Sequence, residues 1–218
     1  MKLLLTSGGI RNPSIRAALD DLVPKPVEEC DALGITTASY AHPMAGPRRA
    51  WAFVADDSMT SLPWKSLGLL ELTALPSLGK DVWLPWVEET DVLLVNGGDT
   101  LYLAHWLRES GLAELLPSLN AVWVGLSAGS MVMTPRIGND FKQWDPPGGG
   151  DKALGVVDFS ICPHLAPEGE FGNTIADAES WFATIDVPAY VMDDQTAIVW
   201  NDGEVEVVSE GTWHFWER

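Results

Sequence analysis

Residues 91–107, DVLLVNGGDTLYLAHWL, change their pattern midway. The 91–95 stretch is a short, continuous apolar run, the composition of a strand buried on both faces. Asn96-Gly97-Gly98-Asp99-Thr100 breaks it. From Leu101 the apolar residues Leu101, Leu103, Ala104, Trp106 and Leu107 recur at roughly helical spacing. A strand, a glycine turn and a helix in that order are the repeating grammar of a mainly parallel sheet covered by helices. The pattern recurs at 121–130, AVWVGLSAGS, where a short apolar strand over 121–126 ends at Ser127.

Working outward, the same alternation covers most of the chain. Residues 2–6 read as a buried strand, followed by a glycine turn and a helix opened by Asn12-Pro13-Ser14, with Ser14 as its cap. A second strand is expected near 33–39, a helix over 48–55, a third strand over 67–73 and a short helix over 80–89. Strands near 156–162 and 188–192 flank a helix over about 170–184. The C-terminal residues alternate in polarity and turn at Asp202-Gly203, as a hairpin does. The expected fold class is α/β: a single domain over 1–218, with a mainly parallel sheet, helices on both faces and a C-terminal antiparallel hairpin at an edge. In such sheets binding sites gather at the carboxyl ends of the strands. Both NGGDT and LSAGS fall at such ends.

Composition narrows the partners. Thirteen basic against thirty-one acidic side chains give a formal charge of −18 in 218 residues. A surface of that sign repels phosphate backbones and anionic lipid, so neither nucleic acid nor a membrane is an expected partner. Two cysteines, Cys30 and Cys162, are too few for a disulfide framework and fit free thiols in a reducing compartment. The opening MKLLLTSGG has too short an apolar run for a secretory signal or a span, and the expected location is the cytoplasm. Asp193-Asp194 and Asp202 do not have the spacing of a calcium loop, and no P-loop lysine follows either glycine turn; no metal or cofactor is expected. Eleven tryptophans, Trp83, Trp106 and Trp123 among them, read as core-filling side chains.

Gly125-Leu126-Ser127-Ala128-Gly129 fits the nucleophile-elbow pattern G-x-S-x-G. Small residues two before and two after the serine allow a strand to turn sharply into a helix. The hydroxyl then stands exposed, and the Ala128 amide points to where an oxyanion forms. The NGGDT loop is placed to give a second amide, while Asp99 or Thr100 can cap the following helix. A serine nucleophile needs a base, and there are four histidines. His105 lies in a helical pattern, and His42 in a proline-rich loop. His164, in DFSICPHLAPEG, directly follows a strand, and His214, in TWHFW, competes with it. Cys162 has no elbow around it and reads as a buried thiol.

Four segments, LLLTSGGIRNPSIRAAL, VLLVNGGDTLYLAHWLRESGL, VWVGLSAGSMVM and GVVDFSICPHL, together resemble the dipeptidase E group of serine peptidases. That group is related to cyanophycinase and shares the class I glutamine amidotransferase-like, flavodoxin-like architecture. The resemblance runs to about residue 165, and more weakly through VMDDQTAIVWNDGEVEVV. It implies a serine peptidase acting on short peptides, dipeptides with N-terminal aspartate in particular, without a cofactor. It implies Ser127 as nucleophile, His164 as general base, and an oxyanion hole from the backbones of Gly98 and Ala128. An aspartate shortly after the serine would complete the triad: Asp140 in IGND, with Asp145 the alternative. A substrate carboxylate entering so acidic a protein needs a cation. Arg136, Lys142 and Arg11 are placed for it, Arg136 first, and Asp99 is placed for the substrate ammonium. Two other readings stand beside this one. The first is an α/β-hydrolase-type esterase using Ser127, Asp194 and His214. The second is a non-catalytic small-molecule binding member of the fold.

Overall fold

The computed structural model describes residues 1–168 and 170–218. In chain order the first half contains β1 (Lys2–Thr6), α1 (Pro13–Leu22), β2 (Asp31–Ile35), α2 (Ala38–Ala41), α3 (Gly46–Asp56), β3 (Ser66–Leu69), α4 (Lys80–Glu88), β4 (Val92–Val95) and α5 (Thr100–Glu109). The second half contains β5 (Val122–Leu126), α6 (Ala128–Met131), β6 (Ser160–Cys162), α7 (Ile175–Phe182), β7 (Ala189–Met192), β8 (Thr196–Asn201), β9 (Glu204–Ser209) and β10 (Trp213–Trp216).

Seven strands form the main sheet in the order β3-β2-β4-β5-β1-β8-β9. The first five run parallel. The hairpin β8–β9 adds two antiparallel strands at the β1 side and turns at Asp202, whose φ is 48°. The period-2 geometry of the strands divides their side chains between two cores. Leu3, Leu5, Leu93, Val95 and Trp123 pack with Trp83 and Val87 of α4 and Leu103 and Leu107 of α5. Leu4, Val92, Leu94, Val122 and Val124 pack with Ile15 and Leu19 of α1 and Phe53 of α3. Apolar residues on both faces explain why these strands read as continuous runs instead of alternating ones.

Several boundaries differ from the sequence reading: the strand near 156–162 is only Ser160–Cys162, the helix over 170–184 only Ile175–Phe182, and three others shift for local reasons. The second strand ends at Ile35 instead of continuing to residue 39: Ser39 and Tyr40 N–H bond back to the carbonyls of Thr36 and Thr37, which begins α2. The third strand stops at Leu69, before the turn that leads to α4. Helix α1 is capped by Asn12, whose side chain accepts from the Ile15 amide at 2.9 Å, with Pro13 at the first helical position; Ser14 is inside the helix.

The strands near 160 and 190 leave the main sheet. β6 pairs parallel with β7, and β7 antiparallel with β10, in a separate three-stranded sheet packed against α7. The chain returns from it to the main sheet through only three residues, Asp193, Asp194 and Gln195. Among the described residues no helix is long and apolar enough to cross a membrane.

Candidate active site

The neighbouring strands β1 and β5 run in register, Thr6 opposite Leu126, and their exits diverge. The helix after β1 packs on one face of the sheet, and α6 after β5 packs on the other. Such a divergence opens a crevice beyond the strand ends. Ser7 and Ser127 stand at its two sides. Because β8 runs antiparallel to β1, with Ala197 opposite Thr6, its start brings the Asp193–Gln195 connection to the same edge.

Ser127 has φ 50° and ψ −109°, a strained conformation for a residue with a Cβ. Its surroundings hold it there. The Ser127 amide donates to the Thr6 carbonyl at 3.0 Å, the Ser130 hydroxyl donates to that same carbonyl at 2.8 Å, and the Trp123 indole donates to the Gly129 carbonyl at 2.8 Å. The two glycines of the motif are sterically required. A Cβ on Gly125 would collide with the Gly129 carbonyl, and one on Gly129 with the Val95 carbonyl. The loop after β4 lies against the turn: a Cβ on Gly97 would be 3.4 Å from that of Ser127. Gly98 has φ 142° and packs on the Ala38 carbonyl with no room for a side chain. Among the described residues, neither the Gly98 nor the Ala128 amide donates to another protein group.

The Ser127 hydroxyl is 2.9 Å from Nε2 of His164, and Nδ1 of His164 is 2.7 Å from Oδ1 of Asp194. A carboxylate accepts only, so Nδ1 carries the proton and Nε2 is left to accept from the serine. Hydrogen bonding from His164 is the main cause that holds the Asp194 carboxyl below the usual carboxylate range. Burial opposes it; the His164 charge, the Ser7 hydroxyl and the Arg11 charge add to it. The His164 side chain is 29% exposed and that of Asp194 47%, so the cluster is open to a small solute.

Several residues expected at the site are placed elsewhere. Asp140 is exposed in a helical turn, and both nitrogens of His164 are already occupied by Ser127 and Asp194. Asp145 is ion-paired with Lys142 at 2.6 Å. The acid beside His164 is therefore Asp194, not Asp140 or Asp145. Arg136 is committed to two carboxylates, Asp151 at 3.0 Å and Asp186 at 2.9 Å, which removes it as the free cation of a substrate pocket. Asp99 is buried and accepts from the amides of Tyr102 and Trp144, both at 2.7 Å. It caps α5 and ties down the 140s loop, and burial raises its pKa; it does not face the crevice as an ammonium receptor would. His214 sits in β10 opposite Val191 and stacks on Trp216, so the grouping of Asp194 with His214 does not form. Cys162 is buried, and burial, with the charges of Asp177 and Asp140, pushes its thiol up to about 12.

Sequence reasoning missed Ser7. Its hydroxyl donates to Asp194 Oδ1 and accepts from the His164 amide, both at 2.8 Å. Its position at the carboxyl end of the first strand, where sites in such sheets gather, was the available signal. Arg11, third in the order of candidate cations, lies close enough for its charge to act on both Asp194 and Asp57, with its Nε donating to the Gly8 carbonyl at 2.7 Å.

Comparison with known proteins agrees with this architecture. Peptidase E of Salmonella arizonae is 31% identical over 140 residues, 61% of this chain and 58% of that protein. Peptidase E of an Escherichia coli O6:K15:H31 strain is 32% identical over 142 residues, with the same coverages. The matched region thus spans less than two thirds of the length of these relatives. The crystal structure of a candidate peptidase E from Listeria monocytogenes EGD-e superposes with a TM-score of 0.67 at 19% identity, covering 96% of this chain and 98% of that one. A peptidase from an acI-B1 Actinobacterium gives 0.59 at 17% identity, covering 98% and 89%. Both likenesses are of fold. Residues 3–208 match peptidase family S51, and the chain belongs to that family.

Proposed function

We propose that the protein is a serine peptidase that hydrolyses short peptides, dipeptides with N-terminal aspartate among them, through Ser127, His164 and Asp194. The observation that carries this reading is the continuous chain of hydrogen bonds from the strained elbow serine through His164 to a carboxylate. His164 Nε2 takes the Ser127 proton as Oγ attacks the peptide carbonyl carbon. The amides of Gly98 and Ala128 receive the oxyanion. His164 then returns the proton to the departing amine, leaving an acyl-enzyme. A water, deprotonated by the same nitrogen, attacks the ester and releases the acid and the free serine. Asp194 keeps the proton on Nδ1 and stabilises the imidazolium in both halves. Membership of family S51 supports peptide bonds as the class attacked.

The substrate preference rests on Arg11, an exposed side chain whose charge reaches Asp194 and whose two terminal nitrogens are in no ion pair among the described residues. A guanidinium there offsets the surrounding negative charge and suits a carboxylate geometrically. The test is hydrolysis of a dipeptide panel by wild type, Ser127→Ala, His164→Ala and His214→Ala. Cleavage is expected to disappear in the first two variants and to persist in the third. Cleavage that depends on His214, or that survives loss of Ser127, would overturn the assignment. Binding of dipeptides without turnover by wild type would leave a non-catalytic member of the family.

A further inference from the structure

We infer that Ser7 is a positioning residue that aligns both the base and the acid of the triad, an inference that rests on the proposed Ser127–His164–Asp194 mechanism. Ser7 is fully buried at the end of β1, next to Thr6, whose carbonyl anchors the Ser127 turn. A hydroxyl has one proton and two lone pairs. Here the proton goes to Asp194 Oδ1, the oxygen that also faces His164 Nδ1, and a lone pair takes the His164 backbone amide. One side chain thus fixes the carboxylate on which the imidazole leans and the main chain from which that imidazole hangs.

The second contact matters because His164 has a φ of 58°, a left-handed conformation that a residue with a Cβ adopts at a cost. Something must hold it. The Ser7 hydroxyl does so from the amide side, and the Asn173 amide does so from the carbonyl side at 2.7 Å. Asp194 is confined as tightly. A Cβ on Gly8 would lie 2.7 Å from its Cβ and Cγ, so the residue after Ser7 has to be glycine for the carboxylate to sit where it does. The segment Ser7-Gly8 is therefore shaped around Asp194: the serine supplies a donor and the glycine supplies room. Neither function is needed to make β1 or its turn. The Gly9 amide is satisfied by the Thr6 hydroxyl at 2.9 Å, and the Ser7 amide reaches the Thr196 carbonyl at 3.3 Å, without the Ser7 side chain.

Ser7→Ala removes the hydroxyl and adds no bulk. The expected result is a fall in kcat of about 10- to 100-fold, the size of one hydrogen bond to a charged group, with KM nearly unchanged. The Asp194 carboxyl, followed by carbon-13 NMR and identified by its absence in Asp194→Asn, is expected to titrate at higher pH than in wild type, because a donor to its charged form has gone. Ser7→Thr, which keeps the hydroxyl, is expected to restore both properties. The reaction of Ser127 with a fluorophosphonate probe, using Ser127→Ala as the blank, separates the two levels of the argument. A wild type that does not react removes the serine-peptidase reading, and the Asp194 titration still decides Ser7. A Ser7→Ala protein with a lowered melting temperature but unchanged kcat, probe rate and Asp194 titration would reduce Ser7 to a structural role and overturn the inference.

Discussion

His164 holds its ring in place with a backbone that is strained and clamped at both ends. Beyond Ser7, the clamp is Asn173, whose amide donates to the His164 carbonyl and whose side chain donates to the Pro163 carbonyl at 2.7 Å. The close approach requires Gly172, with φ 146°, since a Cβ there would collide with the His164 carbonyl. Asn173→Ala removes the side-chain bond and is expected to lower stability by about 1 kcal/mol in urea melts. The acid offers a sharper contrast. Asp194→Asn is expected to reduce kcat by about 10⁴-fold, since an amide donor at Nδ1 favours the wrong tautomer, while Asp140→Asn leaves kcat unchanged. Equal losses in both variants would return the acid to the segment after the serine. Arg11→Ala is expected to raise KM for an aspartyl dipeptide roughly 10-fold and to leave an alanyl dipeptide unaffected, read from initial rates.

Among elements, the strand-turn-helix units were the readable part of the sequence, because every constraint on them is local. β4 and β5 announce themselves by apolar runs, and the elbow by glycines that its backbone contacts demand. Gly129→Ala therefore has a strong expected outcome. The methyl collides with the Val95 carbonyl on the neighbouring strand, so stability should fall by about 1–3 kcal/mol and turnover with it, as shown by thermal melts and kcat on one preparation. The acid was not readable in this way. Asp194 meets His164 because β8 runs antiparallel to β1 and because β6, β7 and β10 form a sheet of their own, and no short window of sequence carries that pairing. Spacing by resemblance pointed to Asp140 instead, and Asp194 entered the sequence reading as a catalytic acid only in a hydrolase-type triad with His214. Asp193 is an ordinary turn carboxylate: its Oδ1 accepts from the Gln195 amide and the Thr196 hydroxyl. Asp194, its neighbour, faces the other way. Arg136 shows the same limit, since its partners Asp151 and Asp186 are 15 and 50 residues away in sequence.

For the whole molecule, a net charge of −18 opposes the approach of an anionic substrate at long range. Added salt screens that repulsion, so kcat/KM for an aspartyl dipeptide should rise between about 0.01 and 0.15 M ionic strength, more than for a neutral-side-chain dipeptide. Acid stability follows from the carboxyls held below their ordinary range. Asp194, Asp31, Asp177 and Asp186 are lowered chiefly by hydrogen bonds from His164, Lys65, Thr174 and Arg136 respectively. A group whose native pKa lies below its unfolded value, about 3.9 for aspartate, stabilises the fold above that pH and ceases to as pH falls through the native value. Asp57 and Asp99, raised by burial, act in the opposite sense. Melting temperatures should therefore hold between pH 6 and 5 and drop below about pH 4, with Asp194→Asn flattening part of that drop. The three-residue passage from the small sheet to the large one has a different bearing. Elsewhere on the surface the chain has slack: Gly148, Gly149 and Gly150 have no neighbour within 4 Å of where a Cβ would stand, and one more residue there should go unnoticed by activity. The passage through Asp193, Asp194 and Gln195 is instead a ruler between two sheets, and an inserted glycine after Asp194 should fold yet hold the carboxylate out of reach of its histidine. Chain length at that one joint, as much as residue identity, is what a redesign of this scaffold has to preserve.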